Sequence, residues 1–358
     1  MFKALDLWLP AYLRRRARPR VEGVTDILLA VCDHFEPLHA ADKPTALRRL
    51  ARWQNDFPKL IENFRDADGI RPRHTFFYPI EQYDADILAE LKKLCDRSGG
   101  ETEIHLHHDR DTADALRAKL EQGKRDFVRH GLLSRDDTGA VRYGFVHGNW
   151  ALANSHPHGQ SCGVNDELAV LRDTGCYADF TMPSCPNPTQ TRTINSIYYA
   201  ATTGQPKPHD HGELARTNSQ LPTPNSQLLL IQGPLGLNWQ RRKFGLLPKI
   251  ENAEITGHNP PRPDRLKIWL DLGIHVAGRP EWIFIKLHTH GGHERDMATL
   301  LTDTMKNFFQ HALNHYNDGQ KFRFHFVSAR EMVNIIHAAE DGKSGNAGDY
   351  RNHRYRLA

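Results

Sequence analysis

The sequence predicts an α/β fold, with a (β/α) barrel preferred over an open doubly wound sheet. Two observations carry this. Apolar, strand-like runs alternate with helical patterns through about seven units, the signature of a parallel sheet with helices outside it. Four of the runs also finish in polar, metal-capable side chains, and active-site groups of a parallel barrel come from the C-terminal ends of its strands.

The elements follow in order. "MFKALDLWLPAYLRRRARPR" places Phe2, Leu5, Trp8, Leu9, Tyr12 and Leu13 on one face, followed by an arginine block. Either it docks on an anionic membrane surface through residues 1–20, or it rests against the domain. Asp6 and Pro10 interrupt its apolar part and the arginines follow it, unlike a signal peptide. The strand candidates are "VTDILLAVCDHF", "RHTFFYP", "ETEIHLHH", "RYGFVHGNW", "YADFTMPS", "EWIFIKLHTH" and "KFRFHFVSA". Residues 84–100 read as a helix capped by Asp84 and ended by Gly99–Gly100. "DRDTADALRAKLEQGKRDFVRHG" and "SAREMVNIIHAAEDG" are likewise helical, and 295–319 is the longest helix candidate. Residues 201–263, rich in Pro, Gly, Asn and Thr, read as an insertion over one mouth of the barrel. Within it "LLLIQGPLGLNW" suggests a strand pair turning at Gly233–Pro234. The chain thus divides into an N-terminal segment (1–23), a barrel domain (24–340) and a polar, loosely held tail (341–358).

Composition narrows the class. Hydrophobic residues are 39% and charged residues 25%, as in an ordinary folded domain. A net charge of +4 gives no reason to expect nucleic acid. The five cysteines, an odd number without C-x-x-C, point to reduced thiols in the cytoplasm. No apolar run approaches the 20 residues of a spanning helix. No G-x-G-x-x-G or P-loop follows the first strand, which argues against nucleotide binding. The unusual feature is 22 histidines.

Their placement is informative. Asp33, His34 and Glu36 end the first strand, His105 and His107 a second, His147 and Asn149 a third, and His288 and His290 a fourth. Alternation puts Ile104 and Leu106 on one face and Glu103, His105 and His107 on the other. It likewise separates Ile283, Ile285 and Leu287 from Phe284, Lys286, His288 and His290. Imidazoles two apart on a strand, about 6.5 Å, can lean onto one ion. A carboxylate from Asp33 would complete a two-His, one-Asp site with an open position, suited to Zn²⁺ or a similar ion. His34, adjacent to Asp33, should point the other way and is read as structural. His156, His158, His209 and His211 are read as surface loop residues, and His325 as a core residue with its hydrogen bonds satisfied. Gly291 and Gly292 are read as leaving room for substrate.

These motifs, spread over roughly residues 24–340, resemble the polysaccharide deacetylase (NodB-homology) superfamily. "VCDHFEP" closes the first strand, "EIHLHHD" a later one, "TMPSCPNPTQ" follows a middle strand and "KLHTHGG" closes a late one. The first motif carries His34 where that family usually has a second aspartate. Four residues after His105 stands Asp109 instead of a second histidine. The resemblance implies a distorted barrel of seven or eight strands and metal-dependent removal of an acetyl group from an amino sugar. It implies Asp33, His105, His107 and Asp109 around the metal. Asp33 and Glu36 share the ligand and base roles, and His288 or His290 protonates the leaving amine. His147, Asn149 and Trp150 would hold the sugar. By the same analogy the substrate is a lipid-linked or nucleotide-linked sugar of bacterial surface-polysaccharide (O-antigen or capsule) synthesis, and the setting is cytoplasmic, peripheral to the inner membrane. Two rivals stand beside it. One is a metal-dependent glycoside hydrolase using Asp166, Glu167 or Asp179. The other is a barrel that binds carbohydrate without catalysis.

Overall fold

The computed structural model describes residues 3–218 and 227–357. Phe2, residues 219–226 of the inserted region and Ala358 of the tail lie outside the described residues. In chain order the elements are α1 (Leu5–Arg14), β1 (Thr25–His34), α2 (Lys43–Ile61), β2 (Thr75–Pro79), α3 (Ala85–Ser98), β3 (Glu101–Leu106) and α4 (Ala113–Arg129). Then come β4 (Ser134–Arg135), β5 (Val141–His147), α5 (Glu167–Asp173), β6 (Cys176–Asp179), β7 (Ile197–Ala201), β8 (Glu213–Leu214), β9 (Gln227–Ile231), β10 (Gly236–Lys243) and β11 (Leu247–Glu251). The rest are α6 (Pro263–Leu272), β12 (Trp282–Thr289), α7 (Glu294–Leu300), α8 (Asp303–Tyr316), β13 (Phe322–Phe326), α9 (Ala329–Glu340) and β14 (Arg356–Leu357).

The central sheet is mostly parallel. Its order is β12–β1–β2–β3–β5–β6–β9, continued antiparallel by β7 and β8. β13 runs parallel beside Thr25–Leu29 of β1, and β2 takes over at Cys32–His34. All seven strands read from the sequence belong to this sheet. All ten residues of β1 are buried, as expected of a parallel strand covered on both faces. Ile27, Leu29 and Val31 share one core with α2 to α8, while Leu28, Ala30 and Cys32 share another with α9. At the C-terminal end, residues 253–255 bond the outer edge of β12: the Ile255 amide donates to the His288 carbonyl at 2.8 Å.

Local signals explain the helices. Asp84 caps α3 by accepting from the Asp86 and Ile87 amides, and Gly99 ends it at φ 72°. Ser328 and Glu331 form a capping box on α9. Several expectations need correction. The 295–319 helix is two helices, breaking near Leu301–Thr302. The longest described helix is α2, capped by Asp42, with Ala46, Leu50, Trp53, Phe57 and Ile61 buried. β9 and β10 do not pair with each other. β9 joins the central sheet and β10 pairs with β11, so 201–263 is only partly an insertion. Its second half is anchored by fully buried Arg265, which bonds both oxygens of Glu251 at 2.8 and 2.7 Å. The tail is held as well, through Arg351 bonded to Asp66, Asp68 and Glu331. α1 packs most of its apolar face on the body of the protein, leaving Leu13 exposed: Trp8 is wholly buried and packs with Tyr12, Cys185 and Leu235. No helix among the described residues is long and apolar enough to cross a membrane.

Candidate active site and metal centre

Strand parity decides what reaches the C-terminal mouth of the sheet. β1 delivers His34, not Asp33. His34 continues the face of Ala30 and Cys32, and Asp33 continues that of Leu29 and Val31, toward the helices. The Asp33 carboxylate meets His74 Nε2 at 2.8 Å and accepts from the Gly291 amide at 2.6 Å. It therefore lies outside the expected ligand set and braces the loop after β12. The His34 ring lies 4.9 Å from those of His105 and His290, 6.2 Å from His288 and 4.8 Å from Trp150. Burial, reinforced by the neighbouring imidazoles, pushes His34 well below the ordinary histidine range.

Glu36 is the carboxylate at the centre. Its Oε1 lies 3.2 Å from His105 Nε2 and 2.8 Å from His107 Nε2, and its Oε2 lies 3.7 Å from His293 Nε2. Burial opposes its charge, but the hydrogen bonds of His105 and His107 hold it well below the carboxylate range. His107 also places Nδ1 2.6 Å from Glu81. Burial works against its proton too, yet Glu36 and Glu81 together raise it to about 9. His105 Nδ1 faces the Val146 carbonyl at 3.1 Å. With one ring proton donated there, Nε2 would turn its lone pair onto the Glu36 carboxylate, and a cation between the two would satisfy both.

That arrangement fits a cation. The ligand atoms of Glu36, His105 and His107 all lie within 4.8 Å of one another. Each imidazole uses its other nitrogen on a carbonyl or carboxylate, the support that metal-bound histidines receive. Asp109 is not part of the group. It accepts from the Ser161 amide at 2.5 Å and its side chain is half exposed.

β12 presents His288 and His290 on the same side as Lys286, as its alternation predicts. His288 is nearly inaccessible, and burial with Lys286 close by pushes it well below the ordinary range. His290 stands nearer the rim and stacks with His293 at 5.5 Å; burial lowers it too. Gly291 and Gly292 leave no vacant room. A Cβ on Gly291 would run into the Asp33 carboxylate, and one on Gly292 would lie 2.6 Å from the Glu36 carbonyl carbon. They are small so that the 291–292 loop can lie on the end of β1.

Of the three residues expected to hold sugar, the structure brings one to the mouth. Trp150, half-buried, lies over His34 and 5.2 Å from His288. Asn149 donates its amide to His147 Nδ1 at 3.2 Å. His147 continues the face of Tyr143 and Phe145 into the helix-side core, where burial lowers it to about 3. The acids of the glycosidase reading do not flank the mouth. Glu167 is buried beside His108 and His147, Asp179 is buried on Thr181, and Asp166 is exposed at the start of α5. His325 is a core residue between Asp26 and Asp68, as expected. His156, His158 and His211 lie at or near the surface, but His209 is fully buried. Sequence reasoning missed His34, His74, Glu81 and His293. For His293 the signal was available in "HTHGGHE".

No family model matches the chain, and no curated protein matches it. Fold and site therefore define a class: an α/β protein with a mostly parallel sheet and buried His/Cys/Glu clusters able to hold a metal ion.

Proposed function

We propose that the chain is a metal-dependent carbohydrate deacetylase acting on an acetylated amino sugar at this mouth. One observation carries the reading: a single carboxylate, Glu36, meets two imidazoles whose outer nitrogens are already fixed. Glu36, His105 and His107 would hold the ion, and Zn²⁺ suits two nitrogens and a carboxylate. Such an ion supplies Lewis-acid polarisation of the acyl carbonyl and lowers the pKa of a water molecule. The residues do the rest. Trp150 offers an indole face to a pyranose ring. His290, neutral and near the rim, takes the proton from the attacking water and returns it to the leaving nitrogen. Asp33, through the Gly291 amide, keeps the His290 loop in place. In this reading the sheet is a distorted barrel whose mouth is completed where 253–255 bonds β12. The substrate is a lipid-linked or nucleotide-linked sugar of bacterial surface-polysaccharide synthesis, handled in the cytoplasm.

Acetate release from acetylated amino-sugar oligomers, with zinc supplied, tests the reading. Glu36→Gln should abolish it while leaving the fold intact. Release of sugar without acetate, or no turnover of any such substrate, overturns it.

A further inference from the structure

A second cluster lies on the opposite face of β3 and β5. His108 extends the helix-side face of Leu106, and His147 that of Phe145. Cys162 and Glu167, from the loop before α5 and its first turn, close over them. All four are at most 5% exposed, and one ligand atom from each lies within 4.8 Å of all the others. His108 Nε2 is 3.0 Å from Glu167 Oε1, His147 Nε2 is 3.9 Å from the same oxygen, and Cys162 Sγ is 3.4 Å from Glu167 Oε2. Ligands at 2.0–2.3 Å around a tetrahedral ion are about 3.3–3.8 Å apart.

We infer that His108, His147, Cys162 and Glu167 form a second, structural metal site of Zn²⁺ type. Its surroundings are those of a metal site. His108 Nδ1 faces Asp111 at 3.3 Å, and Lys119 holds Asp111 at 2.7 Å. The Cys162 sulfur accepts from the Asn154 and Val164 amides at 3.2 and 3.4 Å, and Glu167 Oε2 accepts from the Ala153 amide at 2.6 Å. His147 Nε2 is buried without a hydrogen-bond partner. Ligation through Nε2 moves the ring proton to Nδ1, so the 3.2 Å contact from the Asn149 amide gives way. The Cys162 proton is released on binding. The three-nitrogen-or-oxygen, one-sulfur donor set excludes Mg²⁺ and Ca²⁺.

The site has a purpose in the fold. Trp150, Ala153, Asn154 and Ser161 all sit at positive φ, between 48° and 66°, costly for side-chain-bearing residues. Two of them donate directly to the cluster. The ion would fasten this strained loop and thereby fix Trp150 over the mouth. The inference is independent of the deacetylase reading.

Cobalt titration of the chelator-treated full chain tests it. About one equivalent should give a thiolate-to-cobalt charge-transfer band in the near ultraviolet. The band should persist in Glu36→Gln and vanish in Cys162→Ser. Asp111→Asn should weaken zinc binding about 10- to 100-fold. A folded wild-type chain without the band at saturating cobalt overturns the site, whatever the variants do. So does a band that survives in Cys162→Ser.

A different observation carries a second inference. Trp239, Phe244, Leu246 and Leu247 of the β10–β11 hairpin are 57–93% exposed, and Leu13 at the end of α1 is 70% exposed. Arg15 and Trp239 line one surface recess, so the two patches adjoin. Arg14, Arg15 and Arg16 follow Leu13, and Arg242 and Lys243 precede Phe244; all five are exposed, with Arg15 over the Tyr12 ring and Arg242 donating to the Trp239 carbonyl. An apolar tip flanked in sequence by exposed cations matches an anionic bilayer surface. We propose that the hairpin tip, with the arginines after α1, docks there; this replaces Trp8 as the apolar anchor. Phosphatidylglycerol-containing vesicles should bind the chain, salt should weaken binding, and a Phe244→Ser/Leu246→Ser variant should lose at least about tenfold. Binding indifferent to that variant, absence of binding, or self-association abolished by it overturns the proposal.

Discussion

Gly291→Ala isolates the brace between β1 and the loop after β12. The Gly291 amide donates to Asp33 at 2.6 Å, and its carbonyl accepts from Trp53 Nε1 at 2.8 Å. A Cβ there would overlap the Asp33 carboxylate and lie 2.7 Å from Trp53 Cζ2. Asp33 and Trp53 are completely buried, so neither can swing into solvent. The substitution must stretch one charge-assisted and one neutral hydrogen bond and overfill the site. Together these effects amount to about 3–7 kcal/mol. Folded domains have about 5–15 kcal/mol in all, so the variant should be barely stable. Urea unfolding read by tryptophan fluorescence measures the loss as a lowered midpoint at unchanged slope. Adding Asp33→Ala removes the overlap, so the double variant should lose less than the two single losses combined, by more than about 1 kcal/mol. A Gly291→Ala protein within about 1 kcal/mol of wild type refutes the brace.

Three further outcomes are expected. His107 is raised to about 9 by Glu36 and Glu81, so the stability it gives the metal-free protein is complete below about pH 6.5 and is lost as pH rises through 9. Thermal melts in chelator across that range should fall; flat melts refute the coupling. On the deacetylase proposed above, Trp150→Ala should raise KM for an acetylated amino sugar roughly 5- to 10-fold with little change in kcat, because it removes an aromatic platform and no proton carrier. A large fall in kcat alone would place the indole elsewhere in the reaction. Arg265→Ala should cost about 3–5 kcal/mol, since it strands buried Glu251 without its partner. An unchanged denaturation midpoint would show that the 247–265 region is held by other contacts.

The strands were legible because each is a compact apolar run bounded by turn residues. α2 went unread, although its buried positions Ala46, Leu50, Trp53, Phe57 and Ile61 follow a helical spacing, because they are half hidden among charged residues and Pro58. Which of Asp33 and His34 enters the mouth was not. Every residue of "TDILLAVCDH" is buried, so no polar alternation marks one face as the inner one. The same holds for His147, where Tyr143 and Phe145 face one core and Val146 the other. In β3 and β12, by contrast, polar residues at alternate positions fix the side, and His105, His107, His288 and His290 were placed correctly. The second cluster escaped notice because Cys162 and Glu167 arrive from a loop with no periodicity.

The pairing of Asp33 and His34 sets how this gene can drift. Successive residues on β1 serve opposite sides, one holding the frame and one facing the mouth of the sheet. Inserting or deleting a single codon anywhere in β1 would exchange those duties at once, since a one-residue shift turns every side chain over. Both would then fail together, with no half-functional intermediate to select. The exposed turn at Asp137–Gly139 bears no such constraint. Length changes among descendants of this chain should therefore collect in that turn and be absent from β1.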